Sequence, residues 1–286
     1  MHVSLSGSTG FIGGELIRKY SDTKWTFSII NRESLTMDDE TFRAKKIEDA
    51  DVVINLAGAP VVHRWTENYK NEIYHSRIGC TRKIAQCIIK SRTKPKVFIS
   101  ASAVGIYDSQ GTHTEESTGF SDDFLGKVCK DWEAEALAAE AFTRVVIIRT
   151  GVVLGRNGGA LANLHKIFNV GLGGIIGDGK QDFSWIHIRD LLNIYEFAIA
   201  NDNISGIVNG VAPNPTTNLH FTKTFGKVLT QPAIMKVPNF ALKALYGEGA
   251  VSFLKGQKVL PEKLLRNGFV FQFPAIESAL LNLYRI

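Results

Sequence analysis

No stretch of this chain is apolar for long enough to cross a bilayer, and no block of lysine and arginine marks a nucleic-acid footprint. The 33 basic and 28 acidic residues leave a formal charge of +5 spread along the sequence, which suits a solvated surface with some preference for anions. Cysteine is scarce. Cys80, Cys87 and Cys129 are an odd number with no CxxC pair, which argues against a disulfide framework or a zinc site. Cys80 and Cys87 lie seven apart in a helical stretch and read as small buried hydrophobes. The seven histidines show no ligand spacing, so no metal is expected. The first strand begins at residue 2, which leaves no room for a signal peptide. The expectation is a cytoplasmic protein that handles a small-molecule substrate, with neither nucleic acid nor membrane as partner.

What is there begins at once with Ser6 to Gly13, S-G-S-T-G-F-I-G. Val3 and Leu5 alternate before it as in a strand, and Phe11, Ile12, Leu16, Ile17 and Tyr20 follow at the spacing of one helix face. Gly7, Gly10 and Gly13 stand three apart between them. That spacing permits a tight turn, close approach of a diphosphate to the backbone, and close packing of the helix on the strand. The amides from Ser8, Thr9, Phe11 and Ile12 onward then face the phosphates, at the positive end of the helix.

The next apolar run, Trp25 to Ile30, predicts a buried strand ending at Asn31 and Arg32. An acidic residue about 20 positions after the glycine turn holds the 2′-hydroxyl of NAD, whereas arginine there accommodates the 2′-phosphate of NADP. Arg32 follows Gly13 by nineteen residues and Glu33 comes next, so the two point opposite ways. Asn31 is neutral and does not repel a phosphate, which favours Arg32 and NADP(H).

Residues 33–50 are polar and too few for a full strand and helix. Val52 to Leu56 predicts another buried strand, closed by Ala57, Gly58, Ala59 and Pro60, small residues that let the backbone press on a cofactor. A long helix is expected over 67–91, a strand over 97–101, a helix over 124–141 and a strand over 145–148 ending at Arg149, Thr150 and Gly151. The polar stretch 108–123 between them has the length of a functional lid. Strands alternating with helices specify an α/β fold, a Rossmann-type doubly wound parallel sheet. Beyond Gly155 glycines punctuate the chain, a helix is expected over 190–200 and a short strand over 206–210. Phe269, Phe271 and Phe273 alternate as in a half-buried strand.

Together these landmarks resemble the extended short-chain dehydrogenase/reductase family, and within it the atypical NAD(P)-dependent epimerase-family branch sometimes labelled cell-division-inhibitor-like. The matching stretches are G-S-T-G-F-I-G at 7–13, N-L-A-G at 55–58, R-W-T at 64–66, S-A-S-A-V-G at 100–105 and W-E-A-E-A at 132–136. They continue with R-T-G-V-V-L-G at 149–155, S-W-I-H-I-R-D-L at 184–191, A-P-N-P-T-T-N at 212–218 and G-Q-K-V-L-P at 256–261. The resemblance implies an NADP-binding Rossmann domain over 1–155, with 185–212 returning to it, and a smaller C-terminal substrate lobe from 156–184 and 213–286. It also implies a homodimer formed through the helices at 67–91 and 124–141.

The family's chemistry uses a Tyr and a Lys four residues apart on one helix and a Ser on the preceding strand. The resemblance places Ser102 at the Ser position but Leu125 and Cys129 at the Tyr and Lys positions. Two readings therefore stand: an NADP-dependent oxidoreductase or epimerase-like enzyme acting on a small carbonyl or hydroxyl compound, and an NADPH-binding sensor without turnover. For the enzyme, Ser102 and Tyr107 are the catalytic candidates, with an aromatic pocket wall as the alternative role of Tyr107. Leu56, Ala57, Gly58, Ser100, Cys129, Gly151 and Val152 are expected along the cofactor. Arg77 is expected at the nicotinamide or an anionic substrate group, partnered by Glu72. Trp185 and His187 are assigned to the substrate pocket, His187 as a hydrogen-bonded structural residue, and the glycines at 171–179 to a covering segment or lid.

Overall fold

The computed structural model describes residues 1–284. Its strand-turn-helix opening is β1 (His2–Ser6) followed by α1 (Phe11–Tyr20). The chain then runs through β2 (Thr26–Ile30), α2 (Arg32–Thr36), α3 (Asp39–Lys46), β3 (Val52–Asn55), α4 (Glu67–Lys90) and β4 (Val97–Ala103). A two-residue strand β5 (Thr112–His113), α5 (Phe124–Leu137) and β6 (Arg144–Thr150) complete the first half. After it come β7 (Val152–Leu154), α6 (Gly159–Asn169), β8 (Gly174–Ile176), β9 (Asp182–Phe183), β10 (Trp185–His187), α7 (Ile188–Ala200) and β11 (Gly206–Gly210).

The main sheet has six strands in the order β11-β6-β4-β3-β1-β2, and every neighbouring pair is parallel. Side chains alternate across a strand, so a sheet covered on both faces needs apolar residues at successive positions. That is how the middle strands are written. Val52, Ile54, Val97, Ile99, Val146 and Ile148 pack toward α1 and α7, while Val53, Phe98, Val145 and Ile147 pack toward the opposite layer with Ile84 and Ile88 of α4. Strand order reverses beside β1, whose neighbours are β2 and β3, and crevices at such switch points are where ligands of open α/β sheets bind.

Residues 33–50 form two short helices in place of a further strand and helix, each started by a side-chain cap, Asn31 on Ser34 N and Asp38 on Thr41 N. The Trp25 run is an edge strand: it begins at Thr26, and only Ile30 in it is buried.

Beyond β6, β7 pairs with β10, and Leu154, Leu161, Phe168, Trp185, Phe221, Phe225 and Leu280 form a second core. That core joins α6, α8 (Asn218–Val228) and the helix Ile276–Tyr284. Leu264 and Phe269, late in the chain, instead return to the α1/α7 face of the main sheet.

Three local expectations are revised. Phe269, Phe271 and Phe273 are not in a strand: the Asp190 carboxylate accepts the amides of Gln272 and Phe273 at 2.8 and 2.9 Å, so a side chain holds this segment where a neighbouring strand was expected. The 108–123 stretch is tethered. Its β5 pairs with Lys258–Val259, and Glu115 accepts from the amides of Asn209 and Lys263. The 171–179 segment likewise carries β8, paired with Met235–Val237.

Candidate functional site

The glycine turn fits a phosphate-bearing ligand. Gly7 has φ +71°, and a Cβ there would lie 2.6 Å from the Leu56 carbonyl carbon and oxygen, so only glycine lets β1 turn against the end of β3. A Cβ on Gly13 would overlap the Gly7 carbonyl oxygen, which accepts from the Gly10 amide at 3.0 Å. Helix α1 starts after Gly10 with no side-chain cap and no acidic residue in its first turn. Its leading amides and positive dipole end are thus left to an anion. Leu56 and Ala57 are drawn toward the turn, their amides donating to Ser6 Oγ at 3.1 and 3.2 Å, with Gly58 following.

At the end of β2, Asn31 serves as the cap of α2, its Oδ1 accepting from Ser34 N at 2.8 Å. Arg32 is exposed on the first turn of α2 and makes no ion pair among the described residues; Glu33 beside it is exposed and equally unpaired.

The end of β4 carries a buried polar chain. Ser102 Oγ donates to Glu133 Oε1 at 2.6 Å, and Arg149 Nε and Nη2 donate to the two Glu133 oxygens at 2.9 and 2.8 Å. Arg149 Nη1 reaches the Tyr107 hydroxyl at 2.8 Å, and that hydroxyl lies 2.9 Å from both Asn209 Oδ1 and the Thr114 carbonyl. All four side chains are buried: Ser102 4%, Tyr107 0%, Glu133 6% and Arg149 4% exposed. Burial alone would lower the Arg149 pKa, but the bonds and charge of Glu133 more than offset it and hold it above its ordinary value.

This arrangement corrects the expectation for Tyr107. Its hydroxyl is fully engaged inside the protein, burial raises its pKa, and its ring stacks on His113 at 4.8 Å, so it is neither a proton donor to substrate nor a pocket wall. Ser102 sits at the outer end of the chain, with its proton held by Glu133. Leu125 is half-buried, and Cys129 is buried with its thiol pushed up to about 12 by burial and by the Glu133 charge, so it stays protonated at neutral pH. Ser100 is also buried, and its hydroxyl faces the Ala101 carbonyl.

Arg77 is not paired with Glu72. Five residues apart on α4, the two side chains diverge by about 140° around the helix, and Glu72 is exposed. The Arg77 guanidinium donates instead to the carbonyls of Ile73 and Ala59 at 3.1 and 3.0 Å and lies 5.2 Å from the Trp132 ring. A Cβ on Gly58 would sit 2.8 Å from Arg77 Cζ, so the cation lies directly under the end of β3. Burial lowers its pKa, and among the described residues no carboxylate compensates it.

The remaining assignments divide. Gly151 and Val152 join β6 to β7; a Cβ on Gly151 would lie 2.6 Å from the Ser184 carbonyl oxygen, which accepts from Val152 N at 2.9 Å. Trp185 is corrected from pocket to core: it is fully buried in the second core, and its Nε1 donates to the Asn214 carbonyl at 3.2 Å. His187 caps α7, its Nδ1 accepting from Arg189 N at 3.1 Å while Phe273 packs 3.9 Å from its ring. It borders a cavity between α1 and α7 whose wall contains none of Ser102, Arg77 or Leu56–Gly58.

Burial, with the Arg189 charge, lowers the His187 pKa from 6.5 to about 4. Below pH 6.5 the unfolded chain takes up a proton that the folded chain refuses, so stability present above pH 6.5 is lost as pH falls toward 4. The loss amounts to roughly 3 kcal/mol. Urea unfolding at pH 7.5 and 4.5 should show that drop, and His187→Asn, which keeps a capping side chain, should reduce it. An equal drop in the variant would remove His187 as its source.

Residues 3–209 match the NAD dependent epimerase/dehydratase family, and residues 237–283 match a domain of unknown function, DUF1731. The chain belongs to the NAD dependent epimerase/dehydratase family. An Arabidopsis thaliana relative, described as an SDR39U1 homolog of the epimerase family and chloroplastic, is 39% identical over 98% of this chain and 86% of its own length. The epimerase family protein YfhF of Bacillus subtilis is 36% identical over 99% of this chain and 98% of its own. The crystal structure of human SDR39U1 (isoform 2) with NADPH is 34% identical, covers 99% of both chains and superimposes with a TM-score of 0.92. Helix α5 carries Leu125 and Cys129 where the family resemblance placed a Tyr and a Lys. The Glu133–Arg149 pair was not assigned from sequence, although both residues lie in the quoted W-E-A-E-A and R-T-G-V-V-L-G stretches. For Arg149 a signal was present, since it is the one charge in the apolar run 145–154; Glu133, among Lys130, Asp131 and Glu135, gave none.

Proposed function

We propose that this chain binds NADP(H) at the β1–α1 turn and acts as an oxidoreductase or epimerase-like enzyme on a small carbonyl or hydroxyl compound. The observation that carries the cofactor reading is Arg32, an exposed and unpaired guanidinium at the end of the strand next to the glycine turn. The NADPH in the human relative's crystal structure supports it. Gly7 to Gly13 would hold the diphosphate, Arg32 the 2′-phosphate, and Leu56 to Gly58 the segment toward the nicotinamide. Bound there, the dinucleotide supplies a hydride donor or acceptor.

The proton has to travel without the Tyr and Lys of the wider family. Ser102 Oγ takes the proton of a substrate hydroxyl while its own proton passes along the 2.6 Å bond to Glu133, and the reverse sequence protonates a carbonyl oxygen. Arg149 holds the Glu133 carboxylate in line. Arg77, a half-buried cation without a carboxylate partner among the described residues, stabilises negative charge on the substrate oxygen or an anionic substituent.

The test is a fluorescence titration with NADPH and NADH. Arg32→Ala should weaken NADPH roughly tenfold or more, the worth of a charged hydrogen bond to phosphate, and leave NADH nearly unchanged. Equal loss for both, or for neither, would remove Arg32 from the 2′-phosphate. Ser102→Ala should then abolish substrate-dependent NADPH oxidation across a panel of small aldehydes and ketones. The second reading, a sensor whose NADPH occupancy changes a partner contact, is favoured by Leu125 and Cys129 and by the enclosure of Tyr107. No carbonyl in the panel would accelerate NADPH oxidation in that case. A cytoplasmic location and a homodimer through α4 and α5 belong to the same proposal, with sedimentation velocity the check on the dimer; no helix among the described residues is long and apolar enough to cross a membrane.

A further inference from the structure

A cavity of about 440 Å³ opens between α1, α7 and the helix Ile276–Tyr284, apart from the residues assigned to the dinucleotide. Of the glycine turn only Phe11 reaches it. The Phe11 ring is pressed on the backbone of the loop after β7, where a Cβ on Gly155 or Gly158 would overlap it.

Cations outnumber carboxylates in the polar lining, four against Glu15 alone. Arg18, Lys19, Arg156 and Arg189 all border the space. Arg18 is tied to Glu15, and Lys19 to Asn193 Oδ1 at 2.6 Å and Glu196 at 3.1 Å. Arg156 and Arg189 are exposed and make no ion pair among the described residues. The positive end of the thirteen-residue α7 adds to their field, because its cap, His187, and its first residue, Ile188, are in the wall. The one carboxylate in that first turn, Asp190, is engaged by the amides of Gln272 and Phe273.

His187 supplies the second, independent observation. It is 1% exposed, its Nδ1 accepts from Arg189 N, and its Nε2 has no hydrogen-bond partner. With Nδ1 occupied as an acceptor, the neutral ring carries its proton on Nε2, a buried donor at the cavity wall that closes no hydrogen bond of normal geometry, although the Asn282 side chain in the same wall is near enough to act on the ring. A buried unpaired donor costs about 1–3 kcal/mol and is ordinarily satisfied by something. Here the space beside it is large enough for a small metabolite.

We propose that this cavity is a second ligand site, taking a small phosphate monoester whose phosphoryl group lies between Arg156 and Arg189 and whose organic body rests on Phe11, Leu192 and Leu283 with an acceptor oxygen on His187 Nε2. Two unpaired guanidinium groups and a helix N-terminus match a dianion better than a single carboxylate. The volume exceeds what a bare ion fills, and the apolar wall takes the remainder. The inference does not depend on the catalytic reading above.

Calorimetric titration of the whole chain, with and without saturating NADPH, tests it. The probes are ribose 5-phosphate, glycerol 3-phosphate, inorganic phosphate and citrate. At least one ester should bind saturably at one site in both conditions, tighter than inorganic phosphate and citrate. Arg156→Ala with Arg189→Ala, both at exposed positions, should weaken it at least tenfold without changing NADPH affinity. In the wild type the His187 Nε2 resonance should shift as the ester is added, a readout that does not rely on the variant folding. Absence of saturable ester binding, competition by NADPH, or retained affinity in the double variant would each overturn the site. Inorganic phosphate binding as tightly as the esters would overturn the organic subsite, and tighter citrate the preference for phosphate.

Discussion

Glu133→Ala should lower the stability of the protein by about 3–5 kcal/mol, the cost of leaving a buried charge without its partner. Against a total of about 5–15 kcal/mol for a folded domain, that is a large fraction. The thermal midpoint should fall on the order of 10 °C. The reason is the position of Arg149, 4% exposed, with three of its guanidinium contacts going to Glu133 and Tyr107. Removing the carboxylate also strips Ser102 of its acceptor. A double variant, Glu133→Ala with Arg149→Met, should be less destabilised than the two single changes added together, because the second change removes the orphaned charge. Denaturant unfolding of the four proteins reads this directly. A single-variant loss below about 1 kcal/mol would mean that water or a rearranged side chain replaces the carboxylate, and the Ser102–Glu133 proton route would lose its rigid anchor.

Neighbouring glycines of α1 should behave oppositely. Gly13→Ala puts a Cβ into the Gly7 carbonyl oxygen, backbone against backbone, so the turn or the helix must move. A turn moved off the diphosphate loses charge-assisted hydrogen bonds worth about 1.5–3 kcal/mol, so NADPH affinity should fall roughly tenfold to a hundredfold. Gly14→Ala meets only the Ser8 carbonyl oxygen at 3.8 Å, an ordinary contact. It should leave NADPH binding intact and raise stability by up to about 1 kcal/mol, the helical preference of alanine over glycine. Titration and thermal melts of the pair decide the matter. Wild-type NADPH affinity in Gly13→Ala would place the dinucleotide elsewhere.

Much of the scaffold was legible because its causes are local. The alternation of Val3 and Leu5, the glycine spacing and the helical spacing after Phe11 each report backbone geometry within one short segment, and β1 and α1 follow them. The double-faced apolar runs at 52–55, 97–99 and 145–148 require a sheet covered on both sides, and they occupy its centre. Phe269, Phe271 and Phe273 show the limit of the same logic: alternation reports an extended backbone, and what pairs with that backbone is decided elsewhere, here by Asp190.

The site divides along the same line. The position of Arg32 just after β2 was legible because its distance from the glycine turn is set by one short βαβ unit. Glu72 and Arg77 could not be paired correctly, since helix geometry separates them and Arg77 finds carbonyls at the end of another strand. Tyr107 follows a strand at the ligand-binding edge, and nothing local says that Arg149, Thr114 and Asn209 close over its hydroxyl.

The sequence by itself determined the parallel α/β order, the glycine turn between β1 and α1 and the place of Arg32 after β2, because each depends on spacing within a few turns of backbone. Only the tertiary structure decided that Glu133 and Arg149 are one buried unit, that Tyr107 faces inward, and that His187 borders a basic cavity. A polar side chain's partner is fixed by how separate elements pack, and the free energy of that pairing depends on the water excluded when they do.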